Sequence, residues 1–227
     1  IYNDEIKTGK VSDGCEFVIP NNDKTDVINI EDVKLLTPKA PGKIVCVGRN
    51  YADHAAELGS ELPKEPLLFL KAPSAIIFDT EFIEIPSQSD QVEHEGELGV
   101  VIGKTCKNLS DDENPSEYIL GYICLNDVTA RDLQRKDVQF TRAKSFDTFC
   151  PVSQFIKTGI DPNGLRITTK VNGVLKQDGR TTQMVFPVGL LIKYISNQMT
   201  LNFGDIIATA TPSGVSLLKH GDICEVK

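Results

Sequence analysis

Glu93-His94-Glu95-Gly96-Glu97-Leu98-Gly99-Val100-Val101-Ile102 places a cluster of acidic residues directly before an apolar run. Leu98–Ile102 has the length and β-branched content of a buried strand, so the acidic residues lie at its mouth. In an extended chain residues i and i+2 share a side; Glu95 and Glu97 therefore project together while His94 points away. Two carboxylates held that close repel each other, and a divalent cation between them removes the conflict. Taken alone, the same stretch also fits a solvated acidic loop.

Runs of the same kind recur on both sides, at Ile44–Val47, Leu67–Leu70, Tyr118–Leu125, Leu165–Val171 and Ile206–Thr209, most of them bounded by Gly, Pro, Asn or Asp. Asn172-Gly173, between Lys170-Val171 and Val174-Leu175, signals a hairpin, because a type I′ turn needs positive φ at both central residues. Helical periodicity is clear where Val188, Leu191, Ile192, Ile195 and Met199 form one apolar face; a shorter candidate, Tyr51–Gly59, is Ala-rich and stops at Gly. The pattern predicts a mainly β chain with few helices, of the α+β class. Residues 1–40 are polar, carry a turn-rich Pro20-Asn21-Asn22-Asp23 stretch and end at the double-proline connector Thr37–Gly42. They read as a small N-terminal appendage and linker, with one main domain over residues 41–227. No internal repeat or low-complexity tract interrupts it.

At about 150 residues per domain, 227 residues suit this division and can bury a substantial core. With 40% hydrophobic and 25% charged residues the chain lies far from disordered or collagen-like compositions. No stretch approaches the roughly 18 apolar residues of a membrane span, and Ile1–Lys10 lacks the apolar centre of a signal peptide. A cytoplasmic protein is expected. The six cysteines show no C-x-x-C pair and no clustered zinc spacing, and Cys46 and Cys124 sit inside apolar runs as small buried hydrophobes do. A net charge of −8 without a basic stripe argues against nucleic acid and anionic membranes as partners.

A third acidic residue joins the first two. Asp127 follows the apolar run Tyr118–Leu125, and acidic residues at the ends of buried strands build oxygen-ligand sites for Mg²⁺ or Mn²⁺. Asp132 could equally be the ligand, or either residue could cap a following helix. His54 and Glu57, at i and i+3, share one face of a helical turn; a carboxylate beside an imidazole fixes its tautomer and raises its basicity, as a water-activating base requires. Such pairs also occur on plain solvated helices. Lys144, in Thr141–Asp147, is the remaining cation of interest.

Five blocks, Lys43–His54, His94–Ile102, Asn126–Asp132, Arg142–Asp147 and Thr209–Val215, closely resemble the fumarylacetoacetate hydrolase family and stand in the family's order from about Pro41 to the end. The resemblance implies the mixed β-sandwich roll of the family's C-terminal domain, a homodimer or higher homo-oligomer, and a bound Mg²⁺ or Mn²⁺. By position, the metal ligands would be Glu95, Glu97 and Asp127, which selects Asp127 over Asp132. Lys144 and Arg131 would face the substrate carboxylate and oxo groups, with Gln134 nearby. His54 and Glu57 would form the water-activating dyad on a lid that orders when ligand binds, and Thr211 would meet the substrate carboxylate. One position departs: the family usually shows Ala-Thr-Gly-Thr-Pro where this chain has Ala208-Thr209-Ala210-Thr211-Pro212. If residue 210 needs positive φ, the alanine costs on the order of 1 kcal/mol; at negative φ it is harmless.

The expected activity is metal-dependent hydrolysis of a C–C bond in 2,4-dioxo acids (acylpyruvates), with oxaloacetate decarboxylation as a companion. Hydrolysis needs His54 and Glu57; decarboxylation does not. A rival within the family is an isomerase or decarboxylase of 2-hydroxyhepta-2,4-diene-1,7-dioate, which needs a cation for the distal carboxylate, Arg49 or Arg142. A rival of another class is a non-catalytic, metal-dependent 2-oxo acid binding protein.

Overall fold

A computed structural model describes residues 10–11, 16–21, 24–29, 41–79 and 81–227. Two compact units divide the chain, Ile1–Pro38 and Lys39–Lys227. In the first, strands β1 (Lys10–Val11), β2 (Glu16–Asn21) and β3 (Lys24–Asn29) form an antiparallel sheet in that order. Asn22-Asp23 of the expected turn, Thr37–Ala40 of the connector and Cys15 lie outside the described residues.

The second unit is built on a five-stranded sheet with the order β5 (Leu67–Lys71), β4 (Ile44–Gly48), β14 (Ile206–Ala208), β8 (Gly96–Ile102) and β9 (Ile119–Asn126). All neighbours are antiparallel except β14 and β4. β4, β8 and β14 are buried almost along their whole length, and apolar apart from Glu97, because both faces of the sheet are covered. Alternation sorts the two sides: Val45, Val47, Val100 and Ile102 enter one core, and Ile44, Cys46, Val101 and Leu125 enter the other. The first core is closed by helix α4 (Val188–Gln198), whose buried Val188, Leu191, Ile192 and Ile195 are the expected apolar face. The helix stops one residue earlier than the periodicity suggests, since Met199 is extended at φ −154°.

A second sheet has the order β13 (Val174–Arg180), β12 (Arg166–Val171), β16 (Cys224–Val226). β12 and β13 turn at Asn172 and Gly173, both in the left-handed region with φ 51° and 77°, as the hairpin signal requires. Smaller pairings, β10 (Thr129–Ala130) with β7 (Val92–His94) and β15 (Ser216–Leu217), and β11 (Cys150–Pro151) with β6 (Ile76–Ile77), complete a mixed-sheet fold that is mainly β. Three short helices sit near the strand ends: α1 (Ala52–Glu57), α2 (Arg131–Lys136) and α3 (Thr141–Lys144). Among the described residues five cysteines are free, and no helix is long and apolar enough to cross a membrane.

Candidate active site

The acidic segment breaks the strand between β7 and β8 at Glu95. There Glu95 N–H donates to Asn126 Oδ1 (2.9 Å) and Asp127 N–H donates to Glu95 O (2.9 Å), so the ends of β8 and β9 are locked side by side. Gly96 is required at this point: a Cβ there would lie 2.0 Å from Thr169 Oγ1 of β12. His94 faces the other way, with Nδ1 3.1 Å from Gln177 Oε1 and Nε2 2.8 Å from Ser216 Oγ. Glu95, Glu97 and Asp127 are at most 5% exposed, and each brings a carboxylate oxygen to within 4.8 Å of the others. Asp132 does not line this group. It accepts from Ser89 Oγ (2.6 Å), Asp90 N–H (3.0 Å) and Leu133 N–H (2.9 Å), tying a loop to the first turn of α2.

Three buried cations surround the carboxylates. Lys144, in α3, donates to Glu95 Oε2 (2.9 Å) and Asp127 Oδ2 (2.6 Å). Arg131, opening α2, donates to Glu93 Oε2 (2.8 Å), to Gln134 Oε1 (2.6 Å) and to Glu95 Oε1. Lys71 ends β5 and donates to Asp127 Oδ1 (2.6 Å) and Val128 O (3.2 Å). Burial works against the charge of Glu95, yet the Lys144 and Arg131 cations outweigh it and hold its carboxyl well below the usual range. Glu97 has no cation of its own. Burial first, then the neighbouring Asp127 and Glu95 charges, push it well above the usual range, against which the Lys144 charge and then the Ala210 N–H at 2.8 Å are counterweights. Lys144 is driven up by Asp127 and Glu95 despite its burial.

This donor set fits a hard divalent cation. Three buried carboxylates supply oxygens only, which suits Mg²⁺ or Mn²⁺ rather than a thiophilic metal, and a cation among them would relieve the repulsion between Glu97 and its acidic neighbours.

The group opens into a cavity of about 370 Å³ whose walls include Val47, Leu67, Phe69, Phe140 and Ala210. His54 and Glu57 reach it from α1. His54 Nδ1 is 3.1 Å from Glu57 Oε2, and Glu57 in turn accepts the Gly214 N–H at 3.0 and 3.2 Å. Nδ1 is therefore engaged, and Nε2 has no protein partner among the described residues. Gln134 and Thr211 also line the cavity. The Thr211 hydroxyl donates to Gly96 O (2.8 Å) and accepts from Gln177 Nε2 (2.6 Å), so its hydrogen is already committed. Ala210 stands at φ 79°, the strained case of the two considered from sequence.

The structure thus brings together Glu95, Glu97, Asp127, His54, Glu57, Lys144, Arg131, Gln134 and Thr211 around one cavity. Sequence reasoning missed Lys71 and Glu93. Lys71 had a signal: it is a charge that closes the apolar run Leu67–Leu70, as Asp127 follows the apolar run Tyr118–Leu125, although the strand it ends is largely half-buried or exposed.

Residues 43–227 match the family described as fumarylacetoacetate (FAA) hydrolase C-terminal. The chain belongs to the fumarylacetoacetate hydrolase family. Among its relatives, a mitochondrial oxaloacetate decarboxylase of Dictyostelium discoideum is 48% identical over 80% of this chain and 86% of its own length. A mitochondrial oxaloacetate tautomerase of Bos taurus is 45% identical over 79% of this chain and 83% of its own. Among solved structures, a 5-carboxymethyl-2-hydroxymuconate delta-isomerase from Mycobacterium smegmatis is 40% identical and superposes with a TM-score of 0.87, covering 100% of this chain and 91% of that one.

Proposed function

We propose that the protein is a divalent-metal-dependent enzyme that cleaves the bond to C3 of 2-oxo acids, hydrolysing 2,4-dioxo acids (acylpyruvates) and decarboxylating oxaloacetate. The observation that carries the reading is the assembly, at one cavity, of a three-carboxylate group with an imidazole–carboxylate pair. A Mg²⁺ or Mn²⁺ held by Glu95, Glu97 and Asp127 would supply Lewis-acid stabilisation of the negative charge that develops between C3 and the 2-oxo oxygen.

The chain's own groups do the rest. Lys144 and Arg131 present fixed positive charge at the same end of the cavity, where a 2-oxo acid brings its carboxylate, and Gln134 orients Arg131 through a 2.6 Å contact. With Nδ1 held by Glu57, His54 takes a proton from water at Nε2. The water oxygen bonds to C4 of the dioxo acid, the C3–C4 bond breaks, and its electron pair passes to C3, which is then protonated. The products are a carboxylate and pyruvate. For oxaloacetate the same electron pair arrives at C3 by loss of CO₂, and His54 activates no water.

The test is to mix metal-stripped protein separately with acetylpyruvate and oxaloacetate, with and without Mg²⁺ or Mn²⁺, and to assay acetate, pyruvate and CO₂. The reading expects metal-dependent release of acetate from acetylpyruvate that Glu95→Ala lacks. Turnover of oxaloacetate alone would restrict the enzyme to decarboxylation, and turnover of neither would refute the reading.

A further inference from the structure

The Arg131 guanidinium is held from three directions. It donates from Nη2 to Glu95 Oε1, from Nη1 to Gln134 Oε1 (2.6 Å) and from Nε to Glu93 Oε2 (2.8 Å). The three partners are not equivalent. Glu95 belongs to the three-carboxylate group, so a bound divalent cation would share the carboxylate that Arg131 now uses. Gln134 is neutral and stands on the cavity wall, one turn along the same six-residue helix. Glu93 is 8% exposed and lies in neither the carboxylate group nor the cavity wall. Its charge is the one that Arg131 keeps whatever the cavity holds.

The backbone fixes this contact. Glu93 is paired on both sides within its sheet, with Thr129 of β10 and Leu217 of β15, and β10 runs directly into Arg131. The Arg131 N–H donates to Gln91 O at 2.7 Å, which ties the start of α2 to the residues just before β7. The second oxygen of Glu93 accepts from Gln91 Nε2 (2.6 Å), and Gln91 Oε1 in turn accepts from Arg135. With both oxygens engaged, the Glu93 carboxylate cannot swing away from Nε. Three of the five guanidinium donors are then taken by protein, and one N–H on each Nη remains for an anion in the cavity.

We propose that Glu93 is a positioning residue for the reaction: by holding Arg131 at Nε from behind the cavity, it keeps the remaining Nη hydrogens available to the substrate anion when Glu95 is engaged by a divalent cation. The inference rests on the reading above for what Arg131 binds, and it deepens that reading by adding a residue outside the cavity.

The test is calorimetric titration with oxalate, which copies the 2-oxo acid head, of the wild type, Glu93→Ala, Glu93→Gln, Arg131→Met and the Glu93→Ala/Arg131→Met double variant, each with and without Mg²⁺. With Mg²⁺, Glu93→Ala should weaken oxalate by about tenfold or more. Glu93→Gln keeps an acceptor for the Nε–H and should weaken it less; it carries the same comparison if the alanine variant fails to fold. In the Arg131→Met background the Glu93 substitution should change oxalate affinity by less than about twofold, because the residue it acts through is gone, whereas a general loss of packing would weaken oxalate in both backgrounds alike. Exchange of the Arg131 Nε–H with solvent, followed by nitrogen NMR on Mg²⁺-loaded protein without oxalate, should be faster in the Glu93 variants than in the wild type. Unchanged exchange, unchanged oxalate affinity, or equal weakening in both backgrounds overturns the proposal. Oxalate affinity that is indifferent to Mg²⁺ overturns the metal reading instead, and faster exchange with a loss confined to the Arg131 background still stands for Glu93 in that case.

Discussion

The backbone N–H of Ala210 donates to Glu97 Oε2 at 2.8 Å from a residue held at φ 79°. The positive φ and the hydrogen bond belong together, because the turn of the chain at Ala210 presents this N–H to a buried carboxylate that forms no ion pair among the described residues. Alanine in the left-handed region costs roughly 1–2 kcal/mol, and glycine gives back part of that gain through its looser unfolded chain. Ala210→Gly should therefore stabilise the protein by about 0.5–1 kcal/mol, read as a higher denaturant midpoint with an unchanged slope. A loss of stability would mean that the turn is not strained.

Gly214 anchors the other side of the dyad. Its φ is 102°, and a Cβ there would lie 2.0 Å from Lys176 O, so the loop must shift to accept any side chain. Gly214→Ala should then withdraw the N–H that holds Glu57 and lower hydrolysis of acetylpyruvate by about tenfold or more while oxaloacetate decarboxylation falls less. Steady-state rates on both substrates check it; parallel loss would contradict the anchoring role.

His54 separates the two reactions more sharply. Removing a positioned general base costs on the order of 10²–10⁴ in rate. His54→Ala should lose acetylpyruvate hydrolysis on that scale and largely keep oxaloacetate decarboxylation. Equal loss of both activities would refute the division of labour.

Lys71 is wholly buried against Asp127, and its removal leaves that carboxylate short of a partner. Breaking a buried pair in this way costs about 3–5 kcal/mol. Lys71→Met should lower the melting temperature substantially, and Mg²⁺ should restore more of it than in the wild type, since a ligand of the native state stabilises by mass action. Thermal melts with and without Mg²⁺ measure both quantities.

The sequence made legible those features whose signal is local. The hairpin at Asn172-Gly173 was readable because only a few residue types tolerate two successive positive φ values, and α4 because a long amphipathic face repeats. The orientation of Glu95 and Glu97 against His94 followed from the period of a strand. What was not legible depends on contacts distant in sequence. α2 and α3, six and four residues long, carry too little periodicity to be seen, and they form where Arg131 and Lys144 are drawn onto Glu93, Glu95 and Asp127. Choosing between Asp127 and Asp132 required the family resemblance, since both follow the same strand; Ser89 and Asp90, more than forty residues upstream, hold Asp132 elsewhere. Lys71 escaped because its partner lies 56 residues away.

The central claim is that Glu95, Glu97 and Asp127 form one divalent-cation site. Titrating metal-stripped protein with Mn²⁺ and following the paramagnetic resonance of free Mn²⁺ measures it without reference to turnover. One Mn²⁺ per chain should be taken up, with affinity weakened by more than about tenfold in Asp127→Asn and in Glu97→Gln. No uptake, or uptake that both variants retain unchanged, would contradict it.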